Sequence, residues 1–523
     1  MTHWCQKMIP RFPSFQFLLA AIATVFISAC EVDTGESSAQ ATARQAFLEK
    51  RNATLENFQP CRRTGTTALA SLVAESLCTT FQVPENYAAP EARLIDLKVM
   101  VIPALSDLPE PDPLVLLAGG PGQAATDLLQ VAQVFSRVRT DRDIVLVDQR
   151  GTGELSPFDC QMDEEQAAEF EARDPGFEEV MAAQLQILRD CLDTMAASPQ
   201  FYTTDIAMQD LDAVRDFLGY SQLNLWGASY GSRAALAYLQ AFPATTRALI
   251  IDAVAPTAIA LPSFSERDAS ASLEKIFQDC AADTQCKQAF PELVLHYSQL
   301  LEKLALPQPV TVINDSDFSA VETTIEDFEF LNILRQVLYS REAQRLIPLI
   351  IEQAWQGNYN PLFSLTAQYS ENQINQGMFL SVICNEDYPL IDQAALTGSE
   401  YLLESSMFNS FVYEACAIWP KRELPASYFD AVTQDKPVLI FSGTLDPITP
   451  PQWGELVAAA LPDARHFILE GFAHGTPFTQ CTATIMNSFI EAGTLEGLDS
   501  ECVGRFARRP FFLTPGGSSV SND

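Results

Sequence analysis

Short apolar runs and amphipathic stretches alternate along the first half of this chain. Residues 93–104 read as a strand closed by a proline, and residues 113–117 as a short buried strand running into Ala118-Gly119-Gly120-Pro121-Gly122. Residues 143–147 form another, running into Asp148-Gln149-Arg150-Gly151-Thr152-Gly153. Residues 205–218 have helical apolar spacing and stop at Gly219; a strand over 223–226 and a helix over 232–240 follow. Residues 247–254 are a further apolar strand, closed by Pro256. Brief, nearly continuous apolar runs between amphipathic helices predict strands buried on both faces, hence a parallel, doubly wound α/β sheet.

The alternation then breaks. From 256 to 430 the pattern is mainly helical, with apolar spacing at 273–277, 293–304 and 328–338, and a loop or short strands near 307–318. Strand signals resume at 437–441 and 466–469. The predicted organisation is a core over 60–255, a mainly helical lid over 256–430, the rest of the core over 431–510, and a disordered tail over 511–523. There is no internal repeat.

Gly227-Ala228-Ser229-Tyr230-Gly231 joins the strand at 223–226 to the helix at 232–240. A Gly-x-Ser-x-Gly pentad in that setting resembles the nucleophile elbow of the α/β-hydrolases, a strained turn that admits only small residues two positions either side of the serine. A serine hydroxyl attacks only once a base takes its proton, and the usual base is a histidine held in one tautomer by a carboxylate. The chain has four histidines. His3 lies in the N-terminal segment, His296 in the helical insertion, and His466 at the start of an apolar strand, where a structural role is expected. His474 occupies the small-residue loop Gly471-Phe472-Ala473-His474-Gly475, past the last strand, and is the histidine placed to be the base. Asp446 follows the strand at 437–441 and stands between serine and histidine in sequence, as the carboxylate should. Asp252, at the end of the strand after the elbow helix, is its rival.

The oxyanion of an acyl-transfer intermediate needs two backbone N–H groups. One is that of Tyr230. The other is assigned to Gly120, in the glycine-rich loop, because Pro121 has no N–H to give. The loop lacks the Lys-Ser/Thr and the Gly-x-Gly-x-x-Gly spacing of a phosphate cradle. No Cys-x-x-Cys pair occurs and histidines are few, so neither metal nor cofactor is expected.

Composition adds the surroundings. The 523 residues include 67 acids and 32 Lys/Arg, a formal charge of −35, which argues against nucleic acid or an anionic membrane surface as partner of the folded body. Lys7 and Arg11 precede an apolar stretch over 15–27 that ends in Ile27-Ser28-Ala29-Cys30. This resembles a bacterial lipoprotein signal over 1–29, with Cys30 lipidated as the first mature residue; an ordinary secretory signal cut near Ala29 is the alternative. The expected location is the bacterial cell envelope, with membrane contact through the lipid anchor and a polar tether in 30–59. Twelve cysteines are present, and ten remain after Cys5 and Cys30. They fall as Cys61 and Cys78, Cys160 and Cys191, Cys280 and Cys286, Cys384 and Cys416, Cys481 and Cys502. Sequence does not fix connectivity, but neighbour disulfides are the simplest arrangement for an exported chain.

These motifs together resemble a known family. Ala118 to Gly122 is similar to the His-Gly-Gly-Pro-Gly loop of prolyl aminopeptidases, and Asp148 to Gly153 followed by Ser156 to their Asp-Gln-Arg-Gly-x-Gly-x-Ser. Gly443 to Pro450, Ala473-His474-Gly475-Thr476 and the Cys481 to Cys502 segment resemble the C-terminal domain of secreted tripeptidyl aminopeptidases. Ala118 departs from the family's histidine, which puts single-residue proline specificity in doubt. The resemblance implies a serine aminopeptidase acting on peptides with a free N-terminus, and hence an acidic group to hold the α-amine. Glu386 and Asp387, in Cys384-Asn385-Glu386-Asp387-Tyr388, are the candidates for it; the alternative is that they are surface charges. An esterase or lipase on the same three residues is the rival function.

Overall fold

The computed structural model describes residues 38–61, 70–158, 160, 162, 164–171, 173, 176–313, 318–369, 374–391, 402–403, 406–475 and 478–518. The signal segment, with Cys30, lies outside them. The chain divides into two compact units, residues 1–46 and 47–523. The first is described only from Ser38, as the start of a helix Ser38–Leu55.

Among the described residues nine strands make one sheet: β1 (Gln59–Pro60), β2 (Leu77–Pro84), β3 (Leu94–Ile102), β4 (Leu114–Leu117), β5 (Ile144–Val147), β6 (Leu223–Ala228), β7 (Thr246–Asp252), β10 (Val438–Gly443) and β11 (Ala464–Leu469). Two more, β8 (Gln308–Ile313) and β9 (Ala320–Ile325), pair as a separate antiparallel hairpin. The order in the large sheet is β1-β2-β3-β5-β4-β6-β7-β10-β11. The pairings from β5 through β11 are parallel, and those among β1, β2, β3 and β5 antiparallel. This is the mostly parallel, doubly wound sheet of an α/β-hydrolase.

Alternation along each strand feeds two cores. Val115, Val145, Leu225, Leu249, Ile251 and Ile440 point to one face, under the helices Thr204–Leu218 and Tyr230–Ala241. Leu116, Leu146, Trp226, Ile250, Leu439 and Phe441 point to the other, against Phe135 and the helix Gln480–Ala492. Every residue of β4 and β5 is buried, which is why those strands read as unbroken apolar runs. All the central strands point the same way, so the loops after β4, β6, β7, β10 and β11 gather at one edge.

Among the described residues the chain between β7 and β10 is mainly helical apart from the β8–β9 hairpin, and it packs in two further cores, the second shared with residues between 158 and 230. One gathers Leu273, Tyr297, Leu334 and Ile351. The other gathers Leu188, Met378, Trp419 and two disulfides, Cys160–Cys191 and Cys384–Cys416. Cys61–Cys78, Cys280–Cys286 and Cys481–Cys502 complete five neighbour disulfides. By restricting the unfolded chain, each such link typically contributes about 2–4 kcal/mol.

Within the N-terminal segment 30–59, beyond the polar stretch 31–43, Phe47, Leu48 and Leu55 are buried on a helix, and Arg51 pairs with Asp143 at 2.6 Å. A buried ion pair and three apolar anchors make this stretch part of the body. The tail is not disordered from 511: Phe511 is buried in the first lid core, the Phe512 N–H donates to the Arg345 carbonyl, and Thr514 bridges to Gly517.

Candidate active site

Ser229 sits between β6 and its helix at φ 57°, ψ −126°, a left-handed conformation that side chains rarely adopt. The neighbouring glycines explain how the turn closes. A Cβ on Gly227 would lie 2.1 Å from the Gly231 carbonyl oxygen, and one on Gly231 would lie 2.3 Å from that of Leu117. The strain is held by backbone bonds: the Ser229 N–H donates to the Asp252 carbonyl at 2.9 Å, and the Ser232 hydroxyl donates to the Ser229 carbonyl at 2.6 Å.

Asp446 and His474 come to the same edge from β10 and β11. His474 Nδ1 lies 3.0 Å from both Asp446 carboxylate oxygens. Asp446 also accepts the N–H groups of Ile448 and Thr449 at 2.9 and 2.8 Å, and the Thr449 hydroxyl at 2.8 Å. Burial alone would raise its carboxyl, but His474 and these donors outweigh it and hold it below the usual range. Burial likewise pulls His474 down, yet the Asp446 charge and hydrogen bond, with Asp252 behind, leave it above the ordinary histidine value. Thr449, whose hydroxyl is also 3.2 Å from His474 Nδ1, was not picked from the sequence. Nothing marks a threonine three residues after an aspartate until the turn between them is seen.

The loop after β4 reaches the elbow. A Cβ on Gly119 would lie 3.7 Å from that of Ser229. The Gly119 N–H is engaged by Gln123 Oε1 at 3.3 Å, which keeps Gly120, at φ 106°, as the loop's candidate oxyanion donor beside Tyr230. Asn375 of the lid secures this loop, its N–H donating to the Gly122 carbonyl at 3.0 Å.

Glu386 and Asp387 lie near the elbow helix and are buried, so they are not surface charges, and both carboxylates are engaged by protein groups. Both are 1% exposed. Asp387 is paired with Arg233 at 2.7 and 3.0 Å and accepts the Leu261 N–H. Glu386 accepts the Thr204 N–H at 2.7 Å, the Thr204 hydroxyl at 3.0 Å and the Tyr428 hydroxyl. Burial pushes Glu386 up to about 7 against the pull of Arg233. The chain of bonds continues inward: Gln149 Nε2 donates to the Tyr230 hydroxyl at 2.7 Å, and that hydroxyl lies 2.7 Å from the Thr204 hydroxyl. Lid and nucleophile helix are thus joined by one buried polar network. Its members Gln149, Thr204, Arg233 and Tyr428 were not legible as a group, because they come from four separate segments.

The other two histidines among the described residues have structural partners. His296, on a lid helix, stacks on Trp355 at 3.7 Å and bonds Glu352 at 2.7 Å. His466 meets the Ser442 hydroxyl at 2.9 Å, and burial lowers it to about 4. Asp252 is buried at the end of β7, next to the elbow backbone rather than on His474 Nδ1. Among the described residues no cluster of side chains is arranged to hold a metal.

Comparison with known proteins finds similarity to serine hydrolases. A family model described as TAP-like protein matches residues 403–502, the stretch that contains Asp446 and His474. The serine protease Hip1 of Mycobacterium tuberculosis is 25% identical over 529 residues, covering 92% of this chain and 96% of that protein. Carboxylesterase B of the same species is 26% identical over 471 residues, covering 83% and 87%. The tripeptidyl aminopeptidase of Streptomyces lividans is 29% identical over 188 residues, covering 34% and 35%. By its sheet, its elbow and these relatives, the chain is similar to α/β-hydrolase-fold serine hydrolases, a protease, a carboxylesterase and an aminopeptidase among them.

Proposed function

We propose that this protein is an aminopeptidase that removes short units from the N-termini of peptides through an acyl-enzyme. The observation that carries the reading is His474 held by Asp446 at the edge of the sheet where the strained Ser229 elbow also lies. In this mechanism neutral His474 takes the Ser229 proton as the hydroxyl oxygen attacks the scissile carbonyl. Asp446 remains ionised and stabilises the imidazolium. The Gly120 and Tyr230 N–H groups hold the oxyanion. The tetrahedral adduct collapses, His474 gives its proton to the leaving amine, and water then releases the acyl group by the same path.

The tripeptidyl aminopeptidase relative supports action at a free N-terminus, and the carboxylesterase relative supports the second reading, an esterase on the same three residues. Matched chromogenic peptides with free and acetylated N-termini, beside short-chain esters, separate the two. The aminopeptidase reading expects acetylation to lower kcat/KM by roughly tenfold or more, because a buried ammonium subsite loses its charge partner. Equal turnover of free and acetylated peptides would remove it.

Export to the cell envelope is part of the proposal. Five disulfides support an oxidising compartment. Mass spectrometry of the mature N-terminus should find a diacylglyceryl-modified Cys30; an unmodified N-terminus would refute the anchor.

A further inference from the structure

Five arginines are buried among the described residues: Arg51, Arg142, Arg150, Arg233 and Arg335. Four of them have a carboxylate close by, Asp143 at 2.6 Å, Asp112 at 3.0 Å, Asp210 at 2.7 Å and Asp387 at 2.7 Å. That is the expected state, because a guanidinium taken out of water needs a paired anion to recover its hydration energy. Arg335 is different. It lies on the lid helix Asp327–Leu338 and is 9% exposed. Among the described residues it has no ion pair; its Nε has no hydrogen-bond partner, and Nη2 makes one long bond, 3.5 Å, to the Leu403 carbonyl.

Its neighbours set it beside the reaction centre. Arg335 stands one helical turn before Tyr339, the residue that ends the same helix, and the Tyr339 ring meets the His474 ring edge-on at 5.1 Å. Tyr339 keeps 39% of its surface exposed, so solvent reaches this end of the helix.

We propose that Arg335 is a substrate-reading residue whose guanidinium takes up a carboxylate of the bound peptide. The anion has two possible sources, the free C-terminus of a short peptide or an acidic side chain. Either would complete a planar two-point contact that a guanidinium is shaped to make. The inference rests on the reading of Ser229 and His474 as the reaction centre, and it extends that reading to the class of peptide preferred.

The test compares one tetrapeptide with a free C-terminus, its C-terminal amide, and Asp and Asn versions of the amide. The wild-type protein and the Arg335→Gln and Arg335→Met variants are measured in parallel. Wild type is expected to favour one carboxylate-bearing peptide over its neutral partner by roughly tenfold or more in kcat/KM, and the ratio should fall to near one in both variants. The pair of peptides that shows the preference identifies the source. Protection of Ser229 from a fluorophosphonate by the same peptides reads binding without cleavage, so failure of the peptidase reading and failure of this one are distinguishable. Arg335→Met guards against misfolding, since an apolar side chain removes the buried charge altogether. Equal handling of acid and neutral peptides by wild type in both assays, or an unchanged ratio in the variants, would overturn the proposal.

Discussion

Ser229→Ala and His474→Ala should each lower kcat by about 10⁴-fold or more in a protein that remains folded. Folding should survive because the elbow is fixed by backbone groups. Asp252 receives the Ser229 N–H and Ser232 bonds its carbonyl, so the lost hydroxyl is not what closes the turn. Asp446→Asn should be severe but milder. The amide can still accept the Ile448 and Thr449 N–H groups, but it can turn its own N–H towards His474 Nδ1 and favour the wrong tautomer. The pH profile supplies a second reading of the same pair. His474 must be neutral to act as base, and Asp446 raises its pKa, so activity is lost as pH falls through a value above the ordinary histidine value of about 6.5. Removing the Asp446 charge should move that acid limb to lower pH. Near-wild-type turnover by His474→Ala, or a limb that does not move in Asp446→Asn, would sink the assignment.

The parts of this site that were legible in the sequence are those fixed by local rules. β4, β5, β6, β7 and β10 are buried on both faces, so their apolar runs stand out, and a residue just past such a run falls at the sheet edge. Ser229 and Asp446 were picked as candidates this way. β11 shows as a shorter run, and His474 in the loop beyond it completed the order. β2 was missed because most of its residues are only partly buried and it pairs antiparallel towards the edge of the sheet. The acids at 386 and 387 show where local reading stops. An acidic pair beside a cysteine looks the same whether it faces a substrate or an arginine. The difference here is Arg233, 154 residues earlier, and Thr204, 182 residues earlier. The Asp-Gln-Arg-Gly motif was likewise read only as a family mark. Its physical role appears once Asp210 is beside it.

Breaking the Arg150–Asp210 pair should cost about 3–5 kcal/mol of stability, a larger loss than most point substitutions give. Arg150 is 1% exposed, and its guanidinium is fully engaged. Nε and Nη2 donate to the two Asp210 oxygens, each at 2.7 Å. Nη1 donates to the Glu85 and Phe201 carbonyls at 2.8 Å, and Nη2 to the Pro84 carbonyl at 3.0 Å. Four segments of the chain converge on this one side chain: the end of β2, the loop after β5, the turn at Phe201 and the helix Thr204–Leu218. Asp210→Ala would leave a buried guanidinium without its anion. Arg150→Met would leave Asp210, which burial already pushes up, facing only the Tyr87 hydroxyl at 2.9 Å. Arg150→Lys should rescue little, because one ammonium cannot reach a bidentate carboxylate and three carbonyls at once. The double variant should cost less than the sum of the single ones, since neither charge is then stranded. Urea unfolding with the disulfides intact measures these costs through the shift in midpoint. The consequence for activity runs through Gln149, the preceding residue, whose amide holds the Tyr230 hydroxyl beside the nucleophile. Fluorophosphonate labelling of Ser229 should therefore slow in the single variants even in conditions where they remain folded. A wild-type midpoint in Arg150→Met would show that the motif has no anchoring role.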